Sequence, residues 1–453
     1  MKPYASYKHS GVSWLGDIPT PWAVERLRFR VKVNPSFSKP LSADLPVSFL
    51  PMEAIGDDGA LDLERTRLVG EVASGYTYFE DGDVAIAKIT PCYENGKGAV
   101  MAGLVEGVGF GTTELIVMRP TQDDCPQWLY YLTMCSAFRL PGEALMQGAG
   151  GQKRVPDLFV KDYFAPIPPP DEQQAIAYYL DAETARIDTL IHEKDELIGL
   201  LREAQASAFA TTVLRFANAT VGVNCNRFTW LQSLPSNWCV AKVKHITLSV
   251  DQGISPQCES RPPDDGEWGV LKVGCVNTGD FNPMESKALP SDIEPIESIT
   301  LLKGDVLISR ANTKNLVGRA AMADKDYPRL MLSDKHYRLR LDQNECLSQY
   351  LVFVLTHGAV RVHIEERATG ASASMLNIDR RTIMDLDVPL PPPDVQDEIV
   401  REVQRDRAAL GRLIAHTHDE ITLLKELRAA TIADAVLGRI DVRDSAKTIA
   451  ACA

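Results

Sequence analysis

A proline run that feeds a long amphipathic segment occurs twice in this chain, and that duplication constrains the fold more than any other feature. Ile167-Pro168-Pro169-Pro170-Asp171-Glu172-Gln173 returns 223 residues later as Leu390-Pro391-Pro392-Pro393-Asp394-Val395-Gln396. The same offset pairs Ile176 with Ile399, Ile187 with Leu410, Ile191 with Ile414, Ile198 with Ile421 and Leu201 with Leu424. Upstream the match continues at 222, with Gly82-Asp83-Val84 against Gly304-Asp305-Val306 and Gly148 against Gly370. Earlier still, Ile18-Pro19-Thr20-Pro21-Trp22 matches Leu234-Pro235-Ser236-Asn237-Trp238 at 216, so the second half carries a net insertion. Self-similarity at a fixed period means one structural plan built twice.

Each half opens on its Pro-Trp motif and continues through short β-rich runs bounded by Gly and Asp, such as Asp83-Val84-Ala85-Ile86-Ala87 and Asp305-Val306-Leu307-Ile308. A short helix is expected from Trp128 to Phe138 and from Tyr350 to Val362. The proline run then stops the preceding element, because proline excludes helix interiors and disfavours helical geometry one residue earlier. Asp171 and Asp394 stand where an N-cap is wanted. The helix predicted from 171 to 214 spans roughly 66 Å at about 1.5 Å per residue. Apolar residues recur along both helices at alternating spacings of three and four: Ile187, Ile191, Ile198 and Leu201, then Leu410, Ile414, Ile421 and Leu424. Lys194 and Thr417 interrupt both stripes in one register. This predicts that the helices pack on each other in a coiled-coil seam, antiparallel or parallel.

Composition narrows the function classes. A net charge of −13 argues against a protein that coats nucleic acid non-specifically. Residues 171–214 hold nine acids and three bases, so much of the acidic excess sits on the first long helix. No apolar stretch reaches the roughly 20 residues that span a bilayer, so no membrane role is expected. Met1-Lys2-Pro3-Tyr4 lacks the layout of a signal peptide, and the expected location is the cytoplasm. The nine cysteines are scattered without a C-x-x-C pair, and reduced, inert thiols are expected. His416 and His418 project about 200° apart on a helix, which does not suit a metal site. The chain has no Asn/Asp-Pro-Pro-Tyr/Phe motif, no Gly-rich cofactor loop and no Walker lysine motif, so neither adenine methylation nor a motor activity is expected of it.

The ordered motifs resemble those of the specificity subunits of type I restriction-modification systems over nearly the whole chain. They are Tyr7-Lys8-His9-Ser10-Gly11-Val12 with Trp14-Leu15-Gly16 and Ile18-Pro19; Pro168 to Gln173 with Ile176; and Glu183-Thr184-Ala185-Arg186-Ile187-Asp188. Thr90 to Lys97, Ser309 to Thr313 and Gly370 to Met375 complete the set. The resemblance implies an α+β chain with two similar α/β target-recognition domains, separated by two long, mutually packed helices in a pseudo-two-fold repeat. The expected boundaries are 1–166 for the first recognition domain, 167–217 for the first proline run and spacer helix, and 218–389 for the second domain. The second run and helix follow at 390–440, then a tail at 441–453. Each domain would read one half of an asymmetric, split site in double-stranded DNA. Two methyltransferase subunits and motor-nuclease subunits would be the partners. The chain itself would be non-catalytic and bind no cofactor, leaving S-adenosylmethionine, ATP and Mg²⁺ to the partners.

Candidate DNA contacts fall in two loops per half. The first half offers Lys88, Thr90, Tyr93, Asn95 and Lys97, then the Gly-rich basic loop with Gln147, Gln152, Lys153 and Arg154. The second offers Arg310, Asn312, Thr313 and Lys314, then Ser372, Ser374 and Asn377, with Lys335 and His336 as weaker candidates. Arg and Asn pair bidentately with guanine and adenine in the major groove. If the long helices set the distance between half-sites, inserting or deleting one heptad in either helix changes the unspecified gap in the methylated sequence. A genome-wide methylation map with an unchanged gap would refute this.

Overall fold

The computed structural model describes residues 2–452 apart from 38–40, 122, 150, 219–221, 226 and 373–374, with backbone alone for 222–224, 371–372 and 450–452. It divides into two compact units, Met1–Asp195 with His418–Ala453, and Glu196–Thr417.

The first unit holds eight strands in two four-stranded sheets. They are β1 (Val31–Val33), β2 (Pro46–Leu50), β3 (Thr66–Leu68), β4 (Thr77–Glu80), β5 (Val84–Ala87), β6 (Gly98–Val100), β7 (Val108–Gly111) and β8 (Leu115–Pro120). One sheet runs β1-β8-β5-β6 and the other β3-β2-β7-β4, with β2·β7 the parallel pair. The second unit repeats the plan with β9 (Thr247–Gln252), β10 (Gly269–Leu271), β11 (Ser286–Ala288), β12 (Thr300–Leu301), β13 (Val306–Ser309), β14 (Ala320–Met322), β15 (Tyr327–Met331) and β16 (His336–Leu341). Its sheets run β9-β16-β13-β14 and β11-β10-β15-β12, with β10·β15 parallel. Every strand has its counterpart in the same place.

β5 and β13 are buried along their whole length, which is why they read as unbroken apolar runs rather than as an alternation. The Gly-Asp before each makes the entry turn. Gly82 and Gly304 adopt φ of +87° and +89°, a region L side chains avoid. Asp83 and Asp305 are 1% and 2% exposed. Their carboxylates accept the backbone N–H groups of Glu80 (2.8 Å) and Leu302 (2.9 Å). They also pair with Arg119 (2.7 Å) and Arg340 (2.9 Å) on β8 and β16. A carboxylate buried in this way is tolerated because its lone pairs are used.

The short helix expected in each half is two helices. Pro126–Met134 (α1) is followed by Ser136–Ala144, and Ser348–Thr356 (α3) by Gly358–Arg367. Cys135 and His357, at the same place in the repeat, adopt extended backbone (ψ 137° in both) and split the segment.

The long helices are α2 (Pro170–Asn218, 49 residues) and α4 (Pro393–Val436, 44 residues). Both begin on proline, whose fixed φ suits the first helical position and whose missing N–H costs nothing there. Asp171 and Asp394 therefore sit inside the first turn rather than at the N-cap, where their charge still complements the helix dipole. The glutamine closing each motif is fully buried. Gln173 Oε1 accepts the N–H of Cys125 (2.9 Å), and its Nε2 donates to the Pro168 carbonyl (3.1 Å). Gln396 does the same with Leu347 N–H (2.9 Å) and the Pro391 carbonyl (2.8 Å). Each carboxamide thus ties the start of a long helix to the start of the short helix beside it.

Helix α4 runs antiparallel to α2. In the first unit Asp188 meets Arg428 (2.9 Å) and Lys194 meets Glu420 (2.6 Å). In the second, Gln205 Nε2 donates to the Arg407 carbonyl (3.1 Å) and Arg215 pairs with Glu402. Residue numbers rise on one helix as they fall on the other. All eight expected seam residues are buried or half-buried: Ile187, Ile191, Ile198, Leu201, Leu410, Ile414, Ile421 and Leu424. Leu197, Leu200, Leu413, Leu423 and Leu427, on other faces of the same helices, are exposed. The last turns of each long helix enter a core. Ile432 and Val436 of α4 join Trp22 and Trp128 in the first unit, and Phe209 and Val213 of α2 join Trp238 and Tyr350 in the second.

Gln173→Ala and Gln396→Ala each orphan a buried N–H at a short-helix start. Each is expected to cost about 1–3 kcal/mol. Thermal melts should drop for both, while exposed Asp171→Ala stays near wild type; a wild-type melting temperature for both glutamine variants would refute the role given to the carboxamides.

Candidate nucleic-acid interface

The two candidate loops of each half are joined into one small β arrangement. In the first unit the segment after β5 and the Gly-rich loop form the bridges Ile89 to Arg154 and Gln147 to Arg154. Thr90 N–H donates to the Lys153 carbonyl (3.0 Å), and the N–H of Val155 to the Lys88 carbonyl (2.8 Å). In the second unit Ala311–Asn312 pairs with Met375–Asn377, which pairs with Thr369–Ser372. The N–H of Ile378 donates to the Arg310 carbonyl (2.9 Å), the counterpart of the Val155 bond.

On this common backbone the side chains differ. Lys88 N–H donates to the Glu114 carbonyl (2.8 Å), and Arg310 N–H donates to the Lys335 carbonyl (2.7 Å), so Glu114 and Lys335 are equivalent positions of opposite charge. Arg154 makes a two-pronged pair with Glu114 (2.8 and 2.9 Å). That hydrogen bonding holds the Glu114 carboxyl below its ordinary range. Asn377 stands where the first unit has Arg154. The two units therefore present Lys-Glu-Arg and Arg-Lys-Asn at matched places.

Gln147, Gln152, Lys153 and Asn95 are exposed in the first unit, and Thr313 and Lys314 in the second. Lys88, Arg310, Asn312, Lys335 and Asn377 are half-buried. Arg310 Nη1 reaches the Asp334 carbonyl (3.2 Å) and Asn312 Nδ2 reaches Asn277 Oδ1 (3.1 Å). Thr90 is used within the loop, its hydroxyl donating to the Gly151 carbonyl (2.7 Å). Lys97 turns its ammonium to the Met52 carbonyl (3.2 Å). Ser374 lies outside the described residues, and Ser372 is placed by its backbone in the hairpin.

Two sequence candidates are corrected. Tyr93 is 2% exposed, its hydroxyl reaching the Arg139 carbonyl (3.3 Å), and burial pushes its pKa up. It belongs to the core, because the loop that carries it folds back against the helix after α1. His336 is likewise buried, between Ser333 Oγ (2.8 Å from Nδ1) and Cys275 Sγ (3.4 Å from Nε2). This trio has the residue types of a nucleophile set without the chemistry. Burial raises the Cys275 thiol pKa and lowers that of His336 to about 4, the reverse of an activated thiolate beside an imidazolium. Glu114 and Asn277, which a search for cations and exposed amides passes over, enter the site through their contacts.

Among the described residues no group of three or more His, Cys, Asp and Glu side chains could hold a metal ion. Among them, too, no helix is long and apolar enough to cross a membrane.

No family model matches the sequence. The chain is 29% identical over 464 residues to the type I restriction enzyme EcoEI specificity subunit of Escherichia coli, covering 86% of this chain and 78% of that one. It is 41% identical over 164 residues to the EcoAI specificity subunit of the same species, covering 35% of this chain and 27% of that one. Among solved structures, one described under complex assembly and conformational transition of the type I R-M system superposes with a TM-score of 0.68 at 18% identity, over 93% of this chain and 99% of that one. The HsdS subunit from Thermoanaerobacter tengcongensis superposes with a TM-score of 0.54 at 21% identity, over 93% and 98%.

Protonating His336 in the folded unit means charging a buried imidazole. Between pH 6.5 and about 4 the unfolded chain takes up a proton that the folded unit refuses, so stability is present above this window and falls as the pH drops through it. Thermal melts of wild type and His336→Gln across that range should diverge, with the variant's curve the flatter; parallel curves would refute the assignment.

Proposed function

We infer, for a chain that belongs to the type I restriction enzyme specificity subunits, that it is the non-catalytic subunit that reads an asymmetric, bipartite DNA sequence and so directs partner subunits that methylate adenine or cleave DNA. The observation that carries this reading is the matched pair of loop platforms. A repeated backbone with Lys88, Glu114 and Arg154 in one unit and Arg310, Lys335 and Asn377 in the other is what two readers of different bases require. Base edges are distinguished by donor and acceptor pattern, so divergent side chains on one scaffold yield divergent half-sites.

Residues 1–166 and 218–389 are the proposed target-recognition domains. The exposed positions Gln147, Gln152, Lys153, Thr313 and Lys314 are assigned to DNA contact with Lys88, Asn95, Arg310, Asn312, Lys335 and Asn377. The long helices belong to both units, and their length is the quantity that the gap between half-sites follows. Exposed Leu197, Leu200, Leu413, Leu423 and Leu427 offer apolar surface for the helices of two methyltransferase subunits, which a motor-nuclease joins. S-adenosylmethionine, ATP and Mg²⁺ are assigned to those partners, and the complex to the cytoplasm. A pure protein scaffold is the rival reading. It predicts no dependence of methylation on the loop residues.

Co-expression with the cognate methyltransferase, followed by mapping of methylated adenines, tests the reading. Wild type should yield one split motif. Arg310→Ala should relax one position of one half-site, at a cost of about 1–3 kcal/mol in discrimination. A motif unchanged by Arg310→Ala and by Lys153→Ala together would favour the scaffold.

A further inference from the structure

The second unit has a basic groove that the loop platforms do not account for. It lies beside β11, the edge strand of its sheet, and has an apolar floor of Val270, Leu271 and Val273. Lys272, Lys287 and Lys335 line it with one carboxylate, Glu285, and Lys335 is already ion-paired with Asp334 (3.3 Å), which leaves Lys272 and Lys287 as its cations without an ion pair among the described residues. Lys287 is the exposed centre of β11, opposite Val270. Lys335 connects the groove to the candidate loops, because its carbonyl accepts the N–H of Arg310 (2.7 Å).

The first unit carries a cation at the same place. Its edge strand, β3, has Arg67 at the exposed centre opposite Val47 on β2. Equivalent loop positions change charge between the units, as Glu114 and Lys335 do, while the edge-strand centre stays cationic. Bases differ between two half-sites; phosphates do not. Lysine is a compact point charge without arginine's planar fork, which suits it to a phosphate. The apolar floor likewise offers no donors or acceptors to a base edge.

We propose that this groove is a track for the DNA sugar-phosphate backbone, with Lys287 and Lys272 each neutralising a phosphate and Lys335 linking the track to the Arg310 loop. The proposal rests on the DNA-recognition reading above. It adds a contact line that fixes register without specifying sequence. The alternative is that Lys287 only guards an exposed strand edge against pairing with other chains.

The experiment measures binding of the complete methyltransferase complex to a duplex carrying its cognate site, across a range of salt concentrations. Each phosphate contact contributes about 0.9 to the slope of log K against log salt. Lys287→Gln and Lys272→Gln should each lower that slope by about 0.9, and the double variant by about twice as much, with the methylated motif unchanged. Lys287→Arg should restore the wild-type slope. Lys325→Gln is the control for net charge, since Lys325 is exposed and stacks on Tyr327 away from this groove. A slope indistinguishable from that control overturns the proposal, with or without aggregation; aggregation would then assign Lys287 to edge protection. An altered motif also overturns it, in favour of base readout. Failure of the wild-type complex to prefer its site at all would instead bring down the DNA reading itself.

Discussion

A buried carboxamide beneath each proline run is the contact on which the architecture turns. Gln173 and Gln396 are fully enclosed, and each satisfies an N–H at the start of a short helix and a carbonyl in the proline run. An unsatisfied amide at this depth is costly, so the bonds fix where the chain leaves a β-rich unit and enters a long helix. The prolines set the direction of that exit, since they permit a helix to start and forbid one to pass through. Everything the long helices do depends on a start held in this way.

From that start, the antiparallel seam distributes the two helices between the units. Each unit receives the beginning of one long helix and the end of the other, and the end is buried in the core rather than laid on the surface. The N-terminal segment meets the segment after α4 in the first unit, where the Asp441 N–H donates to the Lys2 carbonyl (2.9 Å). Tyr4 there donates to Glu172, with Arg443 against its ring. The second unit has Val395 in place of Glu172, packed on its core. The one change of polarity in the repeated motif thus follows from what each copy touches.

Much of the fold was legible from spacing. The repeat predicted two equivalent units, and all sixteen strands of the four-stranded sheets obey it. The residues expected at the seam from a period of three and four are buried or half-buried, because burial on a helix is set by angle around its axis. The site was harder. Loops with similar sequence roles were identified, but Tyr93 and His336 turned inward and Thr90 and Lys97 were consumed by backbone carbonyls. A polar residue in a glycine-rich segment carries no periodic signal of which way it faces. Glu114 was missed for the same reason: its importance comes from Arg154, forty residues away, and from its equivalence to Lys335.

The amino-acid order alone determined that there are two copies of one plan, where the long helices begin and which of their faces is apolar. These properties are local or periodic, and they survive without knowledge of any neighbour. Tertiary structure decided the antiparallel direction of the helices, the break of each short helix at Cys135 and His357, the joining of two distant loops into one platform, and the presence of a lysine-lined groove at a sheet edge. Those depend on which elements pack together, and side-chain burial and charge pairing exist only once they have done so.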